Sequence, residues 1–353
     1  MKIAEINLNA SMSSGNIVSK LVNCGFNTNC LRPWIGKDGR SYIAATENGK
    51  LVSKPINNAV ATLRKEDWIK LDEAIIPAAK SRLRLVADLR AAGLQLAMDG
   101  MGYTILQSER MSDVGDASIS MDGMREGDND RPEFDLVNLP LPIIHKDFSF
   151  TARQIAASRN GQTPLDTSMA ELCARKVAEK AEKLAVGATN KHTFGGGSIY
   201  GLITFPNRIL ADITSPTASG WASTTLVTEV LAMIQQAQDA YHYGPYMLYM
   251  GSSWNQYLDA DYSAQYPGVT LRSRLQIIEN ISGVRTLDYL SGYNIVLVQM
   301  TSDVIREVVG MDITTVQWET NGGMLQNFKV MAILVPQIRD DINGNTGIVH
   351  GSV

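Results

Sequence analysis

The residue types that do chemistry in proteins are present, but their spacing assembles no familiar site. The four histidines, His145, His192, His242 and His350, stand on four different segments. No H-E-x-x-H motif and no ligand-type Cys/His spacing occurs, so nothing points to zinc. Cys24, Cys30 and Cys173 are too few, and odd in number, for a disulfide framework. Cys24 and Cys30 read as free thiols of a reducing compartment, with pairing in an oxidising one as the alternative. Cys173 falls on the inner stripe of a long helix and reads as a small core hydrophobe. No G-x-S-x-G elbow presents a serine nucleophile. The glycine-rich GGGSIYG at 195–201 lacks the lysine of a phosphate loop and has no expected strand before it, so it reads as a connection.

Carboxylates are the one chemistry-bearing group that clusters. Between 109 and 135 lie Glu109, Asp113, Asp116, Asp122, Glu126, Asp128, Asp130, Glu133 and Asp135, against Arg110, Arg125 and Arg131, a net charge of −6. No lysine occurs between Lys80 and Lys146. The D-x-[DN]-x-[DN]-G register with its closing Glu is not met, so calcium is not implied. Acid–base catalysis needs a carboxyl whose pKa is raised by burial or by a fixed neighbour, which a solvated loop does not supply. The expectation is therefore no catalytic residue, no cofactor and no metal: a protein that is not an enzyme.

The elements that must carry these residues follow from periodicity. Residues 1–65 are rich in Asn, Ser and Gly, with turn signals at 23–25, 37–39 and 47–49. Nine bases against three acids give this stretch +6, and it reads as an extended arm. Residues 66–102 are helical, with Trp68, Leu71, Ile75 and Ile76 at helical spacing, then Leu83, Leu85, Val86 and Leu89. Pro77 is expected to end or kink the first of these helices. Residues 103–139 hold two strand-like pieces, Tyr103–Gln107 and Ala117–Met121, around the acidic loop.

From 140 to 207 a strand leads into a short helical turn and then a long helix over 164–186. Thr163 is its expected N-cap, Pro164 its first residue and Gly187 its stop. Leu165, Met169, Leu172/Cys173, Val177, Ala181 and Leu184 form its apolar stripe, and Glu171–Arg175 and Glu179–Lys183 are helical ion-pair candidates. Residues 208–310 read as a compact α/β unit. Its helix, capped by Ser223 or Thr224, has the apolar face Leu226, Val227, Val230, Leu231, Ile234, Ala237 and Tyr241, and its buried strands are YMLYM (246–250) and NIVLVQM (294–300). Residues 311–353 return as antiparallel strands around Asn321-Gly322-Gly323, ending in a mobile tail.

Composition bounds the partners. The chain has 353 residues, enough for about two domains. Its 19% charged residues fall below the roughly 25% of ordinary globular chains, and the net charge is −4. That excludes a dedicated nucleic-acid binder, which is normally basic. No apolar run reaches 18 residues, so no transmembrane helix is expected, and the first residues lack the apolar core of a secretory signal.

In sequence and order, these pieces resemble the tailed-bacteriophage major capsid proteins of the Hong Kong 97-type fold, which encapsulin shells share. LRKEDWIKLDEAIIPAAKSRLRLVADL (63–89) resembles the helix near the start of encapsulin-like chains. YTILQSE…PEFDLVN (103–138) stands at the place of the family's E-loop, and LPLPIIHKDFSFTARQI (139–155) resembles the strand leading out of it. TPLDTSMAELCARKVAEKAEKLAVG (163–187) takes the place of the spine helix, ahead of Gly201-Leu202-Ile203. The resemblance covers about 63–341, and residues 1–62 depart from the much shorter leader of encapsulins.

It implies an α+β fold with an extended N-arm (1–65), a helical segment of the P-domain (66–102), an E-loop hairpin (103–139), a P-domain with spine helix (140–207), an α/β A-domain (208–310) and P-domain return strands (311–353). It implies a structural role: self-assembly through pentamers and hexamers into an icosahedral shell around phage double-stranded DNA. Scaffolding, portal and cement proteins are the implied partners, DNA would meet the inner face without sequence specificity, and no membrane is involved. The implied location is the virion, assembled in the cytoplasm of the host bacterium. An encapsulin-type compartment around a protein cargo is the alternative reading, and a soluble α/β enzyme a second. Relatives that weld their shells do so through an E-loop lysine, which this loop lacks. Charge adds a contact: Arg32, Lys37 and Arg40 of the arm are expected to face Asp113, Asp116, Asp122, Asp128 or Asp130 of a neighbour's loop.

Overall fold

A computed structural model describes residues 32–47, 50–56, 63–111, 121, 134–160, 167–263 and 268–353. In chain order the strands and helices are β1 (Trp34–Ile35), β2 (Ser41–Glu47), β3 (Lys50–Ile56), α1 (Lys65–Lys80), α2 (Arg84–Ala91), β4 (Gln95–Ala97), β5 (Ile105–Met111), β6 (Phe134–Pro140), β7 (Ile144–Thr151), α3 (Ala152–Arg159) and α4 (Ser168–Val186). They continue with β8 (His192–Phe194), β9 (Gly197–Ile199), β10 (Ile209–Asp212), α5 (Ser223–Asp239), β11 (Tyr246–Gly251), α6 (Asn255–Leu258), α7 (Leu271–Gln276), β12 (Ile281–Leu287), β13 (Ile295–Gln299), β14 (Ile305–Thr320), β15 (Leu325–Ile338) and β16 (Ile348–Ser352).

The body is a four-stranded sheet, β4-β14-β15-β7, covered by α1 and α4. Its spine is the β14–β15 hairpin, paired from Ile305↔Ile338 to Thr320↔Leu325 with register shifts between Val309 and Thr314. The chain reverses at Asn321, Gly322 and Gly323, all at positive φ, as the Asn-Gly-Gly signal requires. This strand starts at Ile305, so a border at 310 would fall inside it. Phe148, Phe150 and Phe328 stack between sheet and helices, with Trp68 of α1 edge-on to Phe328 at 6.0 Å.

Both helices differ in detail from the expectation. Helix α1 runs through Pro77 to Lys80, because Pro77 lies on the solvent side of the last turn, where a lost backbone bond costs least. Ile76 also faces outward, and Trp68, Leu71, Ile75 and Ala79 form the buried face. Helix α4 begins at Ser168 after Thr167; Thr163, Pro164 and Leu165 lie outside the described residues. Its buried face is Ala170, Cys173, Ala174, Val177, Ala178, Ala181, Leu184 and Ala185, while Met169 and Leu172 are exposed. The stripe is rotated because the helix turns its smallest side chains inward, where α1 and the sheet approach closely. Glu179 pairs with Arg175 and Lys176, Lys183 lies over the Tyr289 ring, and Glu171 accepts from the Thr167 hydroxyl, so neither expected pair within the helix forms.

The second sheet, β10-β16-β13-β11-β12, is mixed, with α5, α6 and α7 packed on one face. Tyr246, Leu248 and Met250 point to those helices, and Met247 and Tyr249 to the opposite face. That face rests on Leu85 and Leu89 of α2 and on Ala185 and Val186 at the end of α4. Helix α5 is preceded by Ala222, without a side-chain cap, in place of the expected Ser223 or Thr224. Leu231 and Tyr241 are exposed, and Met233 takes part in the buried face.

Two expectations are overturned. The end of the chain is no mobile tail: Ile348–Ser352 is a strand inside the second sheet, parallel to β10 and antiparallel to β13. Its pairings are long-range, so the local Gly-rich pattern did not announce them. And a strand does precede the glycine run, since β8 and β9 form a small hairpin around Gly195 and Gly196, both at positive φ.

The end of α4 meets the segment after β9 in a close backbone contact. Helix α4 stops at Gly187 in the left-handed conformation, φ 93°. The N–H groups of Leu202 and Ile203 then donate to the carbonyls of Ala185 and Val186 at 3.1 Å, satisfying two orphan acceptors of the helix end. A Cβ on Gly201 would stand 2.2 Å from the Gly187 nitrogen and 2.6 Å from the Leu184 carbonyl oxygen. We expect Gly201→Ala to destabilise the chain by about 3 kcal/mol through forced backbone displacement. Thermal unfolding should fall by roughly 5 °C; an unchanged Tm would contradict the tight contact.

Candidate functional site

Surfaces that could join one copy to another stand out in this chain. The β5–β6 ribbon runs in register from Ile105↔Pro140 to Met111↔Phe134. Its root is apolar, with Leu139 and Leu141 buried against Ile333 and Val335 of the body sheet. Because side chains alternate across a strand, Ser108, Arg110, Asp135 and Val137 share one face of the ribbon and Glu109, Phe134 and Leu136 the other.

The first face is tied to the body by polar contacts. Arg110 Nη2 donates to Asp135 at 2.5 Å, and Nη1 to Asp340 at 3.1 Å. Asp340 lies just past β15; its side chain is 8% exposed, and it also accepts from Asn207 Nδ2 at 2.6 Å. Gln337 Nε2 donates to the Ser108 hydroxyl at 3.1 Å, and its oxygen accepts from Arg306 Nε at 2.6 Å. The hydrogen bond to Asp135 and the charge of Asp340 hold the Arg110 guanidinium in its charged form. Beside this anchor, bounded by β6, the Gly196–Gly197 turn and the end of β15, is a cavity of about 330 Å³.

The second face is apolar and open: Phe134 is 60% exposed and Leu136 62%. A two-stranded ribbon is marginal in water on its own. Here one side is bolted down and the other carries two large uncovered hydrophobic groups.

The arm residues singled out by charge are placed differently from one another. Arg32 is held within its own chain: its guanidinium lies 4.5 Å from the Trp68 ring centre and bonds to Asp72 at 2.6 Å. Trp68 Nε1 donates to the Pro33 carbonyl and the Ile35 N–H to that of Leu63, so this end of the arm is strapped to α1. Lys37 and Arg40 are exposed on the turn between β1 and β2, and Asp38, which accepts from the Tyr42 hydroxyl, stands 4.0 Å from Arg40. Asp113, Asp116, Asp122, Asp128 and Asp130 lie outside the described residues, as do Cys24 and Cys30.

The remaining candidates are structural. His350 is buried: Nδ1 accepts from Arg208 Nε at 3.2 Å, Nε2 faces Asn294 Oδ1 at 3.2 Å, and burial pushes its pKa down to about 4. Burial also lowers His242. Cys173 is buried in the α4 face and burial raises its thiol. Among the described residues, no three His, Cys, Asp or Glu side chains stand close enough to hold a metal ion. Sequence reasoning missed Arg110 and Asp340 as an anchor, because 230 residues separate them; the visible hint was an arginine among the loop's acids, one of three.

Two packed units, a long helix joining them and a projecting ribbon define the class: this is the Hong Kong 97-type fold of capsid and shell proteins. The chain belongs to a family described as "Family of unknown function (DUF6260)", which matches residues 57–351. The crystal structure of a virus-like particle from Pyrococcus furiosus superposes with a TM-score of 0.59 at 17% identity, covering 81% of this chain and 100% of that one. The capsid of Myoviridae phage XM1 does so with a TM-score of 0.56 at 10% identity, over 74% of this chain and 90% of that one. The Type 1 encapsulin shell protein EncA of Myxococcus xanthus (strain DK1622) is 25% identical over 196 residues, 54% of this chain. The match spans 62% of that protein.

Removing the anchor should release the ribbon without unfolding the body. We expect Arg110→Ala, which leaves Asp340 with Asn207 alone among the described residues, to cost about 1–3 kcal/mol locally. Amide exchange over 105–111 and 134–140 should accelerate at least tenfold while exchange in β13 and β15 stays unchanged; equal protection in the variant would show that Arg110 does not hold the ribbon.

Proposed function

We propose that this chain is the major capsid protein of a tailed bacteriophage, closing through pentamers and hexamers into an icosahedral shell around double-stranded DNA. The observation that carries this reading is the ribbon, anchored on its Arg110 face and uncovered at Phe134 and Leu136. A subunit that fixes such a ribbon outward has built half of an interface; a second copy supplies the other half. The low charge content suits a surface largely covered by other copies.

On this reading Arg32, Lys37 and Arg40 meet Asp113, Asp116, Asp122, Asp128 or Asp130 of a neighbour, setting register more than strength. One exposed pair contributes about 0–1 kcal/mol, repeated over every copy in the shell. With no lysine in the 103–139 loop, cohesion comes from burial and strand pairing. DNA would be confined without tight binding, given the net charge of −4. Scaffolding, portal and cement proteins would be partners during assembly in the host bacterial cytoplasm, and the virion the destination.

The EncA match favours a second reading, a compartment shell around a protein cargo. The strands β1–β3, ahead of the region that resembles encapsulins, weigh toward the capsid.

Light scattering after size exclusion, with electron microscopy of the large fraction, tests the assembly. Closed particles or rings of five and six copies are expected, and a monomer of 38.6 kDa that never assembles would overturn it. Nuclease-protected DNA inside particles from infected cells supports the capsid; a protein cargo supports the compartment. Phe134→Ser with Leu136→Ser should abolish closed particles while leaving the Tm of the unassembled chain within about 2 °C. Changing the five loop aspartates to Asn should lower the salt concentration at which shells dissociate; unchanged salt resistance would remove the charge contact.

A further inference from the structure

We propose that Glu182 is a proton-operated latch between the long helix α4 and helix α2, and that through α2 it governs how firmly the five-stranded sheet is seated on the body. Glu182 is 2% exposed, in the last turns of α4. Its Oε1 accepts the Leu85 N–H at 2.7 Å, and its Oε2 the Val86 N–H at 3.5 Å. These are first-turn donors of α2, whose own N-cap, Leu83, has no acceptor to offer. A side chain 97 residues away in sequence thus caps the helix.

Helix α2 is the piece on which the second sheet rests. Leu85 and Leu89 pack against Met247, Tyr249, Val296 and Val298. One turn past the cap, Asp88 accepts from the Tyr249 hydroxyl of β11 at 3.2 Å and pairs with Arg285 of β12 at 3.1 Å. The chain of contacts therefore runs from α4 through Glu182 and α2 to Asp88 and the sheet, inside an otherwise apolar joint.

The charges around Glu182 leave it without a counter-ion. From α2 comes Asp88, a second acid. On α4, Glu179 is held by Arg175, Lys176 and Arg82, while Lys183 lies over Tyr289. From the sheet side, Tyr249 is neutral, Arg285 is taken by Asp88, and Asp288 is bound to Arg84. Among the described residues no cation stands within ion-pair distance of Glu182. Burial, reinforced by Asp88, pushes its pKa up to about 7, against the opposing pull of the α2 amides.

The sign follows. The carboxyl keeps its proton in the closed joint at a pH where an opened joint would lose it. Its contribution is full below the ordinary carboxylate range and is lost as pH rises toward and through about 7. The latch is tight in mild acid and slack above neutrality.

Hydrogen exchange of the full chain, read from peptides spanning residues 84–91 and corrected for intrinsic rates, measures the opening directly. Between pH 5 and 8, protection of the Leu85 and Val86 amides should fall roughly 10- to 100-fold. Glu182→Gln keeps the acceptor and loses the titration, so its protection should be flat across that range and exceed the native value at pH 8. Asp88→Asn removes the neighbouring charge and should move the fall to lower pH. Protection that is flat in the native chain, or that falls equally in Glu182→Gln, would overturn the latch. If Glu182→Gln does not fold, an unmoved window in Asp88→Asn overturns it. The measurement works on assembled or unassembled chain, so its outcome is independent of whether the chain forms shells.

Discussion

Helix α4 can touch α1, two strands of the body and the five-stranded unit because its inward face has little side-chain bulk. Ala170, Ala174, Ala178, Ala181 and Ala185 bring neighbouring backbones close, and Cys173, Val177 and Leu184 fill what space is left. At about 1.5 Å per residue its 19 residues run about 28 Å, so one rigid element spans from the Phe148–Phe150–Phe328 cluster to one face of the second sheet. The contact between Gly187 and Gly201 continues this closeness past the helix end. Remove that proximity and the two sheets lose their common support.

The outer features are arranged around this support in a consistent way. Each projecting piece is fastened by a directional contact between distant parts of the chain. The ribbon is held by Arg110 and Asp340, and the arm by Arg32, Trp68 and Asp72. In both, an arginine joins an aspartate, and in both the tether leaves other groups facing outward. These two charge contacts set the direction of the extensions and do not pair along their exposed lengths. That fits a subunit whose extensions must leave the body at defined angles.

Much of this organisation was legible because it is local. Hairpin β14–β15 announced itself by alternation around Asn321-Gly322-Gly323, α4 by its period and Gly187, and β11 and β13 by short apolar runs. What was hidden is long-range. Strand β16 is five residues broken by a glycine, and only its neighbours β10 and β13 make it a strand. Helix α4 carries two apolar arcs, and periodicity alone could not say that the alanine arc is buried and Met169 and Leu172 exposed. The candidate interface divided the same way. Sequence charge grouped Arg32, Lys37 and Arg40, but did not show the pairing of Arg32 with Asp72, a helix residue 40 positions on.

The joint between the sheets shows why a few polar groups persist in so apolar a contact. Leu85, Leu89, Met247, Tyr249, Val296 and Val298 attract one another without direction, and such a surface tolerates rotation of one layer over the other. The bonds from Leu85 N–H to Glu182 and from the Tyr249 hydroxyl to Asp88 tolerate little. They cost burial of two carboxyls, and burial raises both pKa values. A wholly apolar replacement could hold the layers as strongly. It would not hold them at one angle, because apolar contact carries no direction of its own.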